Sequence, residues 1–467
     1  MPKNASSPNG ATGRPLTPLE SAMEILTRHQ GTYNILMVSR LRGPLDLDHL
    51  QRAIAHLQSS HPHLQACITG EPPKNCRFAY GQAKPIPLRI LKSNGFDSNS
   101  LNSNSDGDAV ELESAITQEL TTPMPSDRYL MRCALLSPSD DVHHLLTTLH
   151  HGISDGASAV YLHTQILNLY SRALDPAPPW PNPAIAFGSV DDYQPAPPKG
   201  LFPPISAFFK LLWQVVLLRY RLLTQAQTYL PPVPPQTPLG QTYYHTQLTL
   251  SPSLTEALLR RCRQHQATVH GSLCAAMMVA AQPFTVSTTP EGTSLKIGCA
   301  SSIDLRRRCD PPMEGKRLGI FASGLSTFHR LPRGLSHDQP EFQTTFWTLA
   351  QNVQQQLKAA LAVHIPFKIL PFFEGVVQQR LANPNDEPLP VQVTNLGRVD
   401  IPPQWGDLKF EGLSVMVSVA RFQRTVMMSA VTFNGQMTLN FQTASPQFSQ
   451  ERLESLANGV VELLTLE

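Results

Sequence analysis

The sequence predicts an α/β fold of the α+β type, in which both halves of the chain combine helices with mixed β-sheets. Its 467 residues exceed one ordinary domain, and 41% hydrophobic against 15% charged residues allow a substantial core. Apolar residues repeat with the period of strands in some segments and of helices in others, in both halves. Proline accumulates between residues 175 and 238, which indicates a linker between two folded units.

These patterns divide the chain into four parts. Residues 1–13 are small and polar and lack the apolar region of a signal peptide, so we expect a disordered tail of a cytoplasmic protein. Residues 14–174 form the predicted N-terminal unit, and residues 239–467 form the C-terminal unit. The proline-rich linker between them, residues 175–238, contains a predicted apolar helix over residues 205–223.

The N-terminal unit opens with a helix signal, because Thr17 can cap a helix, Pro18 suits its first turn and Glu20 follows three residues later. The predicted elements that follow are a strand over 35–41, helices over 46–60 and 109–121, strands over 129–136 and 142–149, and a helix over 157–173. The most distinctive segment of the chain, residues 150–156, lies between the last strand and the last helix.

The C-terminal unit shows the same mixture. Asn434-Gly435 suits a type I′ turn, which needs positive φ at both positions, so it predicts a hairpin of residues 426–433 and 436–441. The other predicted elements are strands over 242–250, 295–303, 391–394 and 413–419, and helices over 253–265, 269–281, 342–362 and 449–464.

Composition excludes several classes of protein. The net charge is +2, and the densest basic cluster, Arg306-Arg307-Arg308, is too short for a nucleic-acid footprint, so we expect no nucleic-acid partner. The seven cysteines are odd in number and none stands at C-x-x-C spacing, which argues against a disulfide framework or a structural zinc site. Free thiols in a reducing compartment fit this pattern.

The apolar segment 205–223 is almost long enough to span a bilayer, but Lys210, Arg219 and Arg221 interrupt it, so we do not predict a transmembrane helix. Two interpretations stay open for this segment. It is either a well-buried core helix or a helix that touches a lipid surface or an acyl chain. We therefore expect at most peripheral membrane contact.

Residues 150–156 read His-His-Gly-Ile-Ser-Asp-Gly and follow directly on a predicted strand. Because side chains alternate along a strand, His150 and His151 point to opposite faces, and only one of them faces a given reactant. The two glycines permit a tight turn and the close approach of other groups. Asp155 precedes a helix, where a carboxylate can cap free N–H groups and lock the loop.

A histidine in this position suits acyl transfer from a thioester. Its ordinary pKa, about 6.5, leaves imidazole neutral near pH 7, so that it can take a proton from a hydroxyl or an amine. The imidazolium can then return that proton to the departing thiolate, and such general-base action typically contributes about 10²- to 10⁴-fold in rate. We therefore predict that His151 is the general base.

Two alternatives to this catalytic role stay open. In the first, His151 is a buried core histidine beside an ordinary turn and has no catalytic role. The second is a metal site, which is disfavoured because the strand splits its histidines over two faces whereas tetrahedral ligands must converge. The residues of such a site would be His143, His144, His150, His151 and Asp155. We expect no metal here.

Extended to Ser158, the segment is similar to the HHxxxDGxS motif of the chloramphenicol-acetyltransferase-like superfamily. That superfamily includes non-ribosomal peptide condensation domains, alcohol acetyltransferases and polyketide-associated acyltransferases of the phthiocerol dimycocerosyl transferase type. Further similar segments are residues 15–20, 45–64, 303–307 with 318–321, which resemble the family's middle pair of strands, and 393–398. The resemblance extends over nearly the whole chain.

The resemblance implies two similar α/β lobes that meet in a V, with His151 in the middle of a tunnel between them. Acyl donor and acceptor would enter from opposite faces. It also implies that Asp155 is structural and pairs with an arginine, for which Arg306 is the preferred candidate and Arg398 the alternative.

Other site residues follow from the same comparison. Gly156 is expected to hold the loop together with Asp155, and His150 points away from the reactants in a structural role. Asn395 belongs to a late asparagine–glycine element that lacks the DFGWG form of the plant members, so that loop's role is not carried over.

The function implied is transfer of an acyl group from acyl-CoA or an acyl carrier protein to a hydroxyl group of a small molecule or lipid, in lipid or secondary metabolism. We expect no cofactor besides the thioester co-substrate, and a monomer, because two lobes already complete the site. Two alternatives stay open: a free-standing condensation enzyme that forms an amide, and a non-catalytic module that binds a carrier protein or a lipid.

Overall fold

The computed structural model describes residues 13–30, 33–91, 105–172, 188–195, 228–231, 243–287, 294–313, 317–383, 389–419, 424–444 and 448–466. The predicted N-terminal tail, apart from Gly13, lies outside these residues. So do the predicted apolar helix 205–223 and most of the proline-rich segment.

Helices and strands are mixed along the whole chain, as predicted. The helices are α1 (Pro18–Gln30), α2 (Leu47–Ser60), α3 (Ser105–Thr121), α4 (Gly156–Ser171), α5 (Pro252–Gln264), α6 (Val269–Ala280), α7 (Phe342–Ala362), α8 (Ile365–Lys368), α9 (Phe373–Ala382) and α10 (Gln450–Thr465). The strands are β1 (Gly13–Pro15), β2 (Asn34–Arg42), β3 (Ala66–Thr69), β4 (Arg77–Tyr80), β5 (Leu88–Leu91), β6 (Met131–Leu136), β7 (Val142–His150), β8 (Thr228–Tyr229), β9 (Tyr244–Leu250), β10 (Val286–Ser287), β11 (Ser294–Asp304), β12 (Ala322–Pro332), β13 (Val391–Arg398), β14 (Gln404–Trp405), β15 (Leu408–Val417), β16 (Val426–Phe433) and β17 (Gln436–Thr443).

Local signals account for several of these bounds. At the start of α1, the Glu20 N–H donates to Thr17 Oγ1 at 3.4 Å and the Thr17 N–H donates to Glu20 Oε2 at 2.8 Å, which is the predicted reciprocal cap. The hairpin of β16 and β17 turns at Asn434 and Gly435, whose φ values of 47° and 78° agree with a type I′ turn.

Two six-stranded mixed sheets form the framework. One has the strand order β14-β15-β2-β7-β6-β5, and the other has the order β12-β11-β13-β16-β17-β9. Each combines parallel and antiparallel neighbours: β5 runs parallel to β6, and β13 runs parallel to both β11 and β16. The fold class predicted from the sequence, with mixed sheets in both halves, is therefore confirmed.

The strand β15 connects the two halves. It belongs to the C-terminal part of the chain but pairs antiparallel with β2, from Lys409 opposite Arg42 to Val417 opposite Ile35. The sequence predicted a boundary between the two units at residue 239. The strands β14 and β15 follow that boundary in the chain but belong to the sheet of the N-terminal unit.

The strand β7 places residues on both faces of its sheet. Leu145 and Leu149 join the apolar core under α2 and α4, whereas Leu146 joins a smaller core under α3. The second sheet buries one face under α6, α7 and α10, where Met428 of β16 is fully buried. Alternation along β7 therefore determines on which side of the sheet the side chains of the residues at its end lie.

One expected strand position is wrong. Residues 318–321, expected to form part of the middle strand pair, are irregular, and β12 begins only at Ala322. The reason is local: the Phe321 N–H donates to the carboxylate of Asp155, and the Gly319 carbonyl accepts from Ser158 Oγ, so these backbone groups are not available to a neighbouring strand.

Among the described residues, no single helix combines the length and hydropathy needed to cross a bilayer. The pair Phe342–Ala362 and Ile365–Ala382, bent by 64°, meets the two criteria jointly.

Candidate active site

The histidine pair lies where β7 ends and the loop to α4 begins. His150 is the last residue of β7, and its side chain is fully buried. His151 is the first residue of the loop and remains half-buried. The two neighbouring histidines thus occupy different environments, as the alternation of the strand predicts.

The ring of His151 is oriented by a backbone carbonyl. Its Nδ1 lies 2.9 Å from the Ser154 carbonyl oxygen, which can only accept, so Nδ1 carries the hydrogen and donates. In the neutral ring Nε2 then keeps its lone pair. Burial lowers the pKa of His151, and the charge of Asp155 partly opposes that effect. The geometry and the pKa direction both favour a neutral imidazole that can accept a proton at Nε2.

Tyr33 covers one face of the His151 ring. The two rings stack with centroids 5.5 Å apart and planes 21° from parallel. Tyr33 has a φ of 72°, a left-handed conformation that is uncommon for a bulky residue and that tends to occur at functional sites. This residue was not singled out from the sequence, since neither its stacking nor its backbone conformation leaves a signal there.

His150 stabilises the loop through hydrogen bonds to its backbone and side chains. Its Nδ1 accepts from the Gly152 N–H at 3.0 Å, and its carbonyl accepts from the Ile153 N–H at 3.2 Å and from Ser154 Oγ at 3.1 Å. On its other side, Nε2 lies 3.0 Å from Oε2 of Glu24, a fully buried residue of α1. Glu24 was not identified from the sequence.

Asp155 forms a two-point ion pair with Arg306. Nη1 donates to Oδ2 at 2.8 Å and Nη2 donates to Oδ1 at 2.9 Å. Oδ1 also accepts from the Ser158 N–H at 2.9 Å, which caps α4, and Oδ2 accepts from the Phe321 N–H at 2.8 Å. Burial alone would raise the pKa of Asp155, but Arg306 and these N–H donors hold it below its ordinary value.

Arg306 is itself almost completely buried, with 2% of its surface exposed. Nη2 also donates to Ser158 Oγ at 2.8 Å, and the guanidinium carbon lies 5.0 Å from the centroid of the Phe321 ring. The arginine preferred from the sequence is therefore the residue placed on Asp155.

Gly156 fits a narrow space against the C-terminal half. A Cβ atom at this position would lie only 2.3 Å from Cδ2 of Leu396 in β13. An alanine would need that side chain to move. The glycine of the motif thus permits the start of α4 to pack directly on β13.

Asn395 and Arg398 lie in β13, beside Leu396. Asn395 Oδ1 accepts from the Gly397 N–H at 2.8 Å, and Gly397 has a φ of 70°. This bond shapes an irregular stretch where the pairing with β16 shifts register. Arg398 is exposed, whereas the two guanidinium contacts on Asp155 both come from Arg306.

The histidines that begin β7 have their own partners. His143 Nε2 lies 3.0 Å from the Gly43 carbonyl, and its Nδ1 lies 2.8 Å from Ser137 Oγ. Burial lowers the pKa of His144 to about 4. Within the part of the chain that the structure describes, no three histidine, cysteine or carboxylate side chains converge to hold a metal ion.

Two protein-family models match the chain. The model described as "Condensation domain" matches residues 15–193, which contain His151 and Asp155. The model described as "Phthiocerol/phthiodiolone dimycocerosyl transferase C-terminus" matches residues 240–442, which contain Arg306.

The curated relatives match about a third of this chain. The cyclosporin synthetase of Tolypocladium inflatum is 31% identical over 162 residues, which are 34% of this chain and 1% of the synthetase. The chain spans between 1% and 5% of the length of the first curated relatives that it matches.

Solved structures match nearly the whole chain. Trichothecene 15-O-acetyltransferase from Fusarium sporotrichioides superposes with a TM-score of 0.73 at 13% identity, over 99% of this chain and 98% of that one. Polyketide synthase associated protein 5 from Mycobacterium tuberculosis superposes with a TM-score of 0.65 at 17% identity, over 97% and 99% of the two chains. At these identities the likeness shows a shared fold.

Proposed function

Because the chain belongs to the chloramphenicol-acetyltransferase-like superfamily of condensation domains and acyltransferases, we propose that it moves an acyl group from a thioester to a hydroxyl acceptor with His151 as general base. The observation that carries this proposal is the bond from His151 Nδ1–H to the Ser154 carbonyl. It leaves Nε2 as a proton acceptor in a ring that is only half-buried.

The proposed reaction needs one proton to move twice. Nε2 of His151 takes the hydroxyl proton as the acceptor oxygen attacks the thioester carbonyl, and a tetrahedral oxyanion forms. When that intermediate collapses, the carbon–sulfur bond breaks, and the imidazolium returns the proton to the thiolate. The ester and the free thiol are the products, and His151 is again neutral.

Asp155 and Arg306 take no part in these proton transfers. Both oxygens of the Asp155 carboxylate already accept from Arg306 and from backbone N–H groups. A carboxylate so fully occupied has little capacity left for a substrate, and its lowered pKa keeps it ionised. We assign the pair to holding the loop and α4 in place.

The donor and acceptor classes rest on the family matches. Condensation domains work with carrier-bound thioesters, so we propose a donor carried by an acyl carrier protein or by coenzyme A. The match of residues 240–442 supports a hydroxyl acceptor, because phthiocerol and phthiodiolone are alcohols. The acyl thioester would be the co-substrate, with no further cofactor.

Amide formation is the second candidate. The condensation-domain match includes the whole motif, and a neutral imidazole can deprotonate an amine nucleophile as well as an alcohol. Matched pairs of acceptors, identical except for a hydroxyl or an amino group, would distinguish the two by the product formed.

The test is thioester-dependent acylation by the purified chain, with products identified by intact mass. Acyl-CoA and acyl-pantetheine donors would be offered with the acceptor pairs to the unaltered protein, His151→Ala and the control His337→Ala. His337 is 45% exposed and lies outside the motif. We expect His151→Ala to lose about 10²- to 10⁴-fold in rate and the control to retain activity.

Three outcomes would contradict the proposal. Undiminished turnover by His151→Ala would remove the general base. Product from amines but not from alcohols would replace ester formation by amide formation. Donor binding without turnover across the whole donor panel would favour a non-catalytic binding module.

A further inference from the structure

A second buried ionisable pair lies on the far side of the proposed base. Glu24 of α1 and His150 of β7 are both 0% exposed, and Glu24 Oε2 lies 3.0 Å from His150 Nε2. Neither of these two atoms has another hydrogen-bond partner among the described residues. Each is therefore the other's natural partner in an environment that strongly penalises unpaired polar groups.

The other oxygen of Glu24 is fixed by two donors. Ser126 Oγ donates to Oε1 at 2.7 Å, and Arg28 Nε donates to the same atom. Burial would raise the pKa of Glu24, but its contacts with His150, Ser126 and Arg28 hold that pKa below its ordinary value. Glu24 is thus an ionised carboxylate with one oxygen for Arg28 and Ser126 and the other for His150.

The opposite side of the His150 ring determines where its hydrogen lies. Nδ1 accepts from the Gly152 N–H at 3.0 Å, so Nδ1 must be unprotonated. A neutral ring then carries its hydrogen on Nε2, the atom that faces Glu24. The carboxylate and the Gly152 N–H therefore favour the same tautomer from opposite sides.

This tautomer matters because Gly152 directly follows His151. The bond to Gly152, together with the bonds from Ile153 N–H and Ser154 Oγ to the His150 carbonyl, fixes the turn whose Ser154 carbonyl orients the His151 ring. We propose that Glu24 is a positioning residue, which fixes the Nε2–H tautomer of His150 and through it the turn that aims His151. This inference rests on the proposed function, because it concerns the same base.

The substitution Glu24→Gln tests this with almost no change in volume. Ser126 and Arg28 both donate to Oε1, so the amide oxygen of glutamine would take that place and the amide NH₂ would face His150 Nε2. Two donors would then oppose each other unless His150 moved its hydrogen to Nδ1. In that tautomer Nδ1 could no longer accept from the Gly152 N–H.

We expect Glu24→Gln to lower kcat about 10- to 100-fold, since small displacements of a catalytic group cost rates of this order. KM should stay within about twofold, because Glu24 is completely buried and touches no substrate. Nitrogen-15 spectra of the histidine rings should show His150 with Nε2–H in the unaltered protein and should lose that signal in Glu24→Gln. Glu71→Gln is the matched control: it makes the same change at an exposed carboxylate beside the same Arg28.

A second pair of variants tests the proposal without relying on Glu24→Gln alone. In His150→Asn, the shorter side chain can still offer an oxygen near the place of Nδ1 but does not reach Glu24. If Glu24 acts through His150, Glu24→Gln should change kcat little in the His150→Asn background, although it lowers kcat in the unaltered background. Such non-additivity identifies residues that act in one path.

The results distinguish failure of this inference from failure of the proposed function. If His151→Ala abolishes turnover while Glu24→Gln, folded by circular dichroism, keeps both kcat and the His150 tautomer, Glu24 is not a positioning residue. Equal, additive losses from Glu24→Gln in both backgrounds would also overturn the proposal. If His151→Ala turns over normally, the proposed function itself fails, whereas the tautomer of His150 can still be read from the spectra.

Discussion

Arg306 places its two terminal nitrogens on the two carboxylate oxygens of Asp155, at 2.8 and 2.9 Å, although the residues are 151 positions apart in the chain. Asp155 caps the helix that follows the histidine loop, and Arg306 follows the last residues of β11 in the C-terminal half. This buried pair therefore joins the loop of the proposed base to the C-terminal half. Loss of this pair should therefore lower the free energy of unfolding.

The first prediction concerns this pair. Arg306→Met leaves an unpaired carboxylate in a buried place, so we expect the free energy of unfolding to fall by about 3 to 5 kcal/mol. Arg306→Lys keeps the charge but loses the two-point geometry and should lose part of that amount. Urea unfolding measures both, with Arg307→Met, an exposed neighbour, as the control. A loss below about 1 kcal/mol for Arg306→Met would contradict the structural role.

The second prediction is the pH dependence of turnover. Burial lowers the pKa of His151, and only the neutral ring can accept a proton. The acid limb of kcat/KM should therefore lie below about 6.5, the ordinary histidine value. Activity should stay level as the pH falls to that value and decline only further down. A limb at or above pH 6.5 in a kcat/KM profile would be inconsistent with a desolvated base.

The third prediction concerns the contact between α4 and β13. Gly156→Ala brings a methyl group to 2.3 Å from Leu396 Cδ2, so we expect a loss of about 1 to 3 kcal/mol from overpacking. Leu396→Ala should relieve the clash. The double variant should therefore lose less stability than the two single variants lose together. Thermal unfolding checks this, and Gly375→Ala, where a Cβ meets nothing within 4 Å, is the control. Strict additivity would mean that the clash does not govern the cost.

The fourth prediction is a loss of stability in mild acid. Burial lowers the pKa of His63 and of His163 to about 3, and that of His144 to about 4. In the unfolded chain these groups bind protons near pH 6.5, so stability should be full above that pH and fall progressively between 6.5 and 4. Each histidine contributes at most about 1.4 kcal/mol per pH unit.

Unfolding midpoints measured from pH 7.5 to 4.5 check this dependence. His163→Gln should flatten the curve, because glutamine carries no titrating group while it retains a donor and an acceptor for Ser39 and Thr147. A midpoint that does not change over this range would refute the contribution of these three histidines.

The loop and its flanking elements were largely predictable because their signals are local. The strand predicted over 142–149 is observed as Val142–His150, and the helix predicted over 157–173 is observed as Gly156–Ser171. Alternation along the strand sufficed to separate His150 from His151. The cap formed by Asp155 could be predicted from its position directly before a helix.

What could not be predicted depends on the tertiary fold. Glu24 stands four residues after Glu20 in an amphipathic helix, and nothing in its local sequence shows that it meets a histidine 126 positions later. Residues 318–321 were expected to be part of a strand pair because they resemble that segment of the family. Instead, their backbone groups bond to Ser158 and Asp155, which lie in another part of the chain. At residues 318–321 long-range hydrogen bonds replace strand pairing, whereas Glu24 lies in a helix and only its distant partner leaves no local signal.

The crossing of β15 has a consequence for any attempt to divide this protein. A fragment ending near residue 239 would expose β2, a nine-residue strand of mostly buried side chains, as an unpaired edge, and such edges invite aggregation. Fusions and recombinations between relatives should therefore keep residues 404–417 together with the N-terminal part. Evolutionary exchange at the proline-rich segment alone would separate a strand from the sheet that it completes.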